Sequence, residues 1–225
     1  MTDGEIDDIL KSPPPAVDPS MEAKIAASMG ATMGPVRPLP PSWALTVGLI
    51  GLAAVIPTIG AGVLGFQGIR RMSGEKIGLI FSLLLLFTIL AAAVSVAEMI
   101  PGSRRLVDPR TLLAASTLGM FAVFAALFHD YDMYRFLPEG LKCLAIGELI
   151  AIPTAAASWL VLRRGFAVNP TAAGVAAGTL AGVAGVIALE LHCPIFRAMH
   201  VMVWHTAVIL VAAGLGRKFA TNGHE

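Results

Sequence analysis

Six separate stretches of this sequence are long and apolar enough to cross a lipid bilayer, and they limit the possible folds more than any other feature. They cover 44–66, 77–97, 111–128, 141–162, 171–190 and 198–216. A spanning helix needs about 20 apolar residues to cross roughly 30 Å of hydrocarbon. Inside the bilayer no water is available to the backbone, so such stretches must be helical. A membrane barrel would need short alternating strands, and none of the six alternates. The composition agrees, with 56% of the 225 residues apolar and 14% charged, against about 25% charged in an ordinary soluble domain. The expected fold is an all-α, polytopic membrane protein, a bundle of six transmembrane helices. Its expected organisation is a cytoplasmic, acidic, Pro-rich segment with short helices over 1–42, a membrane domain over 43–216 and a cytoplasmic tail over 217–225.

Orientation follows from Lys and Arg near the span ends, which are enriched on the cytoplasmic side. With the N-terminus inside, nine such residues fall on the inner face, among them Arg104, Arg105, Arg163 and Arg217, against six outside, among them Arg70, Lys142 and Arg197. Both termini are therefore expected in the cytoplasm. The loops are short, so residues 1–42 are the only substantial material outside the spans. A net charge of +1 gives the molecule no pull toward nucleic acid, and no direct nucleic-acid contact is expected.

The N-terminal segment is acidic. Asp3, Glu5, Asp7, Asp8, Asp18 and Glu22 stand against Lys11 and Lys24. Thr2 and Glu5 form a capping-box pattern, and Ile6, Ile9 and Leu10 then fall on one side at helical spacing. Pro13, Pro14 and Pro15 end that helix. Asp18 and Pro19 can open a second one as cap and first-turn residue, with Ile25 and Met29 on one face and Gly30, Gly34 and Pro35 as stops. Helices this short are marginal alone. The segment is either a solvated tail or a partner-binding element that orders on contact, and its charge suits a basic protein rather than anionic lipid.

Several polar residues are costly in or near a membrane and so need an explanation. Cys143 begins the fourth span and Cys193 follows the fifth, so both belong to the outer face. In an oxidising envelope two such thiols can form a bridge, bind a soft metal or react with an oxidant; the alternative is two inert buried side chains. His192 adjoins Cys193, His200 and His205 lie in the last span, and His129 opens an outer loop beside Asp130. Thiolates with imidazoles can bind zinc, cadmium or copper. His200 and His205 are five apart, which on an α-helix puts them on different sides, so a single chelate from these two is not expected. Glu148 is the carboxylate inside a span. It should face the bundle, protonated or paired, with His205 as the candidate partner. The inner half is almost free of ionisable groups, which argues against an ion-driven carrier. Gly174, Gly178 and Gly182 recur at four-residue spacing, a face that admits a neighbouring helix closely, either within the bundle or in a homodimer. The sequence contains no GxSxG, HExxH, CxxC or phosphate loop, and no enzymatic activity is expected.

Four short motifs then stand in order: Pro35-Val36-Arg37-Pro38-Leu39, Gly140-Leu141-Lys142-Cys143-Leu144, Leu191-His192-Cys193-Pro194 and Val203-Trp204-His205. With six spans, over roughly residues 35–216, this resembles the NrsF family, the negative regulators of sigma F, which are anti-sigma factors of the bacterial inner membrane. The resemblance implies a protein that sequesters an extracytoplasmic-function sigma factor at its cytoplasmic face. It places the sensing of periplasmic metal or redox stress on Cys143 and Cys193, with a transient heavy-metal ion at that pair and no permanent cofactor. His192 and His205 lie in matching segments. Sigma-factor binding by Asp3, Glu5, Ile6, Asp7, Asp8, Ile9 and Leu10 rests on charge and pattern. A small membrane transporter, or a metal- or redox-binding membrane protein, is the alternative.

Overall fold

A computed structural model of the chain describes residues 18–32, 39–165 and 167–222. The chain divides into two units after Pro38. In the first, helix α1 runs over Pro19–Thr32. Asp18 caps it as the sequence suggests: its Oδ1 accepts the Ser20 backbone N–H at 2.8 Å. Hydrogen bonding to Ser20 holds the Asp18 carboxyl below its ordinary range. The expected first helix, with Ile6, Ile9 and Leu10, lies outside the described residues.

The second unit is all helical among the described residues. It contains α2 (Ser42–Leu64), a 3-10 turn (Ile69–Arg71), α3 (Gly74–Met99), α4 (Pro109–Leu127), α5 (Phe136–Leu162), α6 (Pro170–His192) and α7 (Ala198–Asn222). These six long helices have the length and composition to span a membrane, with mean hydropathies of 1.6–2.8. Local chemistry sets their starts. Ser73 accepts from the Lys76 N–H, Asp108 from Arg110 and Thr111, and Asn169 from Ala172, and Pro109 and Pro170 occupy first-turn positions. Such caps satisfy N–H groups that have no partner within the helix. Pro57 and Pro153 lie inside α2 and α5.

Helix α6 is the axis of the bundle. It touches each of the other five spanning helices, and 89% of its apolar window is buried. Its small side chains make this possible. A methyl group on Gly178 would lie 2.5 Å from the Ala212 carbonyl oxygen, and one on Gly182 would lie 2.6 Å from the Ile209 Cα. Gly174 and Gly216 meet backbone to backbone. The glycine face is therefore filled from within the chain by α7, in the close approach that small residues permit. At the end of the bundle where α3 meets α4, Glu98 on α3 is 5% exposed and pairs with Arg105, with Nε–Oε1 at 2.8 Å and Nη2–Oε2 at 3.2 Å.

Candidate functional site

The site lies at the end of the bundle where α2 meets α3, α4 meets α5 and α6 meets α7. Three covalently distant pieces build it. Helix α6 ends at His192, the Cys193 N–H closes the last turn on the Leu189 carbonyl at 2.7 Å, and Pro194 follows. Pro is common just after a helix C-cap because it cannot continue the helix. The connection to α7 is then tied down at Ala198, whose N–H donates to the Asp130 carbonyl at 2.6 Å. Arg197 fixes the rim, donating to the Tyr134 carbonyl at 2.6 Å and pairing with Glu139 at 3.1 Å and Asp132 at 3.4 Å.

Beneath this rim the two cysteines meet. Cys143, in the second turn of α5, and Cys193 are free thiols with their Sγ atoms 3.4 Å apart. Cys193 Sγ lies 3.7 Å from His200 Nε2. The Cys193 thiol is pushed up by its hydrogen bond with Cys143 and by burial, against the opposing pull of His200 and His205. Cys143, Cys193, His200 and His205 each offer one donor atom, and the four atoms all lie within 4.8 Å of one another. All four side chains are buried.

The pairing of the two histidines corrects the sequence expectation. Five residues of α-helix turn a side chain by about 140° from its starting direction. Here, however, Val201–His205 form a π-helical turn inside α7. The wider i→i+5 turn returns position 205 to the side of position 200, and the rings stand edge to face with centroids 5.5 Å apart. Sequence alone carried no mark of that wider turn.

The expected pairing of His205 with Glu148 is also replaced. His205 Nδ1 lies 2.6 Å from Glu190 Oε1, with both side chains fully buried. Glu190 is the residue that sequence reasoning missed. It sat at the edge of an apolar run and looked like a span terminus, whereas α6 continues past it and carries it inward. Glu148 is half-buried on α5, and its Oε1 has no hydrogen-bond partner among the described residues. His129 is exposed on the α4–α5 loop and is not one of the four clustered residues. His192 is partly buried and donates from Nδ1 to the Gly65 carbonyl at 2.9 Å.

Two close contacts tie the pieces of the site together. Trp204 lies directly over Gly140, where a Cβ would collide with the indole, and packs on Phe136 with centroids 5.4 Å apart. His200, four residues before it, faces Cys193. Gly68 of the α2–α3 loop sits against the end of α6. Its N–H donates to the Leu191 carbonyl at 3.1 Å, and a Cβ there would lie 2.5 Å from the Glu190 carbonyl oxygen and 2.8 Å from that of Cys193.

The family model of NrsF, described as negative regulator of sigma F, matches residues 29–222, so the chain belongs to that family. No curated protein and no solved structure matches the chain.

Proposed function

We propose that this member of the family holds an extracytoplasmic-function sigma factor at the cytoplasmic side of the bacterial inner membrane. It releases that factor when a metal or an oxidant reaches Cys143 and Cys193 on the periplasmic side. The observation that carries the reading is the 3.4 Å approach of two free thiols fifty residues apart in a chain whose family regulates a sigma factor negatively. An even number of spans leaves the N-terminal segment and the C-terminus on one side, opposite the thiols, and the Lys and Arg excess makes that side cytoplasmic.

The partner contact falls on the acidic segment. Asp3, Glu5, Asp7 and Asp8 complement the basic, DNA-facing surface of a sigma factor, and Ile6, Ile9 and Leu10 supply an apolar stripe that orders on contact. A sigma factor held in this way is kept from promoter DNA, and the chain itself touches no nucleic acid. The role is regulatory and involves no catalytic step.

Signal transfer has a physical route. The Cys193 backbone packs against Gly68, and His192 holds the Gly65 carbonyl. Gly65 directly follows α2 and Gly68 lies three residues further on, while the other end of α2 continues into residues 1–41. A shift of Cys193 therefore pushes on the helix from which the acidic segment hangs. Taking the partner from 99% to 1% bound requires about 5.5 kcal/mol of differential stabilisation. A metal site or a disulfide supplies energy of that order, whereas an exposed ion pair contributes about 0–1 kcal/mol.

The test is sigma-dependent transcription under cadmium or oxidant stress in cells carrying Cys143→Ser with Cys193→Ser. The double variant should repress normally and fail to induce. Normal induction would remove the thiols from sensing.

A further inference from the structure

The sensing role leaves three buried groups unexplained: His200, His205 and Glu190. His205 has given its Nδ1 to Glu190, and its Nε2 is buried with no hydrogen-bond partner among the described residues. A buried polar atom left in this state is costly. A histidine whose Nδ1 is held by a carboxylate and whose Nε2 is free has the arrangement found at metal centres, where the second partner fixes the tautomer and turns the lone pair toward the ion. His205 is one of the four residues whose donor atoms lie within 4.8 Å of one another.

We infer that Cys143, Cys193, His200 and His205 are the complete ligand set of a closed, tetrahedral site for a zinc-group divalent cation, zinc or cadmium, with Glu190 as the residue that positions His205. The inference rests on the proposed sensing role and specifies its ligand and coordination. Two sulfurs and two imidazole nitrogens suit these ions, which take four such ligands tetrahedrally. Hard oxygen-seeking cations find no carboxylate among the four donors.

The distances fit. Zinc–sulfur bonds of about 2.3 Å give a tetrahedral S···S edge of about 3.8 Å. The sulfurs stand 3.4 Å apart, and Cys193 Sγ is 3.7 Å from His200 Nε2. Seating the ion thus spreads the sulfurs by a few tenths of an ångström. Two S–H bonds break, two S–metal bonds form, two imidazole lone pairs complete the shell, and the two thiol protons leave to solvent. The two positive charges of the ion are balanced by the two thiolates. The Cys193 backbone lies against Gly68, so a displacement of Cys193 bears on the α2–α3 loop.

The test uses the full-length, reduced protein in nanodiscs, titrated with Co²⁺ as a spectroscopic probe and with Cd²⁺ in competition. The wild type should bind one ion per chain, with the visible d–d bands of tetrahedral cobalt and sulfur-to-cobalt charge transfer. His200→Gln and His205→Gln should each lose the tetrahedral spectrum. Glu190→Gln should keep stoichiometry and spectrum but weaken affinity about 10–100-fold. Wild-type spectra and affinities in both histidine variants, or an octahedral cobalt spectrum in the wild type, would overturn the inference. Thermal unfolding of each variant without metal confirms that the protein titrated is folded. Sigma-factor capture by the metal-free wild type is measured in parallel. Capture without tetrahedral metal binding sinks the site alone, whereas failure of capture sinks the regulatory reading.

Discussion

Gly68 and Cys193 are in contact through their backbones: a methyl group on Gly68 would lie 2.8 Å from the Cys193 carbonyl oxygen. No flexible side chain lies between them to absorb a displacement. Gly68→Ala must push the end of α6 away from the α2–α3 loop, and overpacking against backbone costs about 1–3 kcal/mol. The expected outcome is a folded protein with a shifted set point, whose basal sigma-dependent transcription differs from wild type before any stress. A reporter assay in unstressed cells, normalised to membrane protein level, checks this.

The buried Glu190–His205 pair makes a second expectation. Removing one partner of a buried hydrogen bond leaves the other unsatisfied, at a cost of about 1–3 kcal/mol and more for a charged group, whereas replacing both by apolar groups of similar shape is often nearly neutral or stabilising. Glu190→Leu should therefore lower thermal stability in detergent strongly. Glu190→Leu with His205→Leu should recover most of the loss. If the double variant is as unstable as the sum of the single variants, the pair is not coupled as the 2.6 Å contact indicates.

The glycine face gives a third. Gly178 lies against Ala212 and Ala213 of α7, so Gly178→Leu must separate α6 from α7 along their shared axis. Loss of folded protein, seen as early unfolding on heating in detergent, is expected. Leucine at Gly48, which has nothing within 4 Å of a Cβ, should be tolerated.

The acidic segment supplies a fourth. Deleting residues 1–17 should abolish sigma-factor capture and leave insertion, thermal stability and cobalt binding unchanged. Reversing Asp3, Glu5, Asp7 and Asp8 to lysine should do the same. Capture that survives both changes would move the contact to the inner loops.

The fold was largely legible because the bilayer imposes simple rules. Hydropathy set the six spans, and Asp18 with Pro19 marked the start of α1. The spacing of Gly174, Gly178 and Gly182 announced a close helix contact, which α7 provides. The site was only half legible. Cys143 and Cys193 could be assigned to one face by counting spans, but their approach depends on how three connections fold together. The partnership of His200 with His205 was hidden because a uniform helical period separates them, and one π-helical turn reverses that. Glu190 was hidden because the extent of burial at a span edge depends on neighbouring helices rather than on local hydropathy. The pairing of Glu98 with Arg105 likewise depends on the fold of the α3–α4 loop.

The central claim is that occupation of the thiol site loosens the hold on a sigma factor across the bilayer. The most direct measurement is the fraction of cognate sigma factor co-eluting with the full-length protein in nanodiscs, before and after one equivalent of Cd²⁺. The account expects near-complete co-elution of the metal-free protein, loss of the sigma factor on adding cadmium, and retention in the Cys143→Ser, Cys193→Ser variant. A sigma factor that stays bound while cadmium occupies the wild-type site would contradict it.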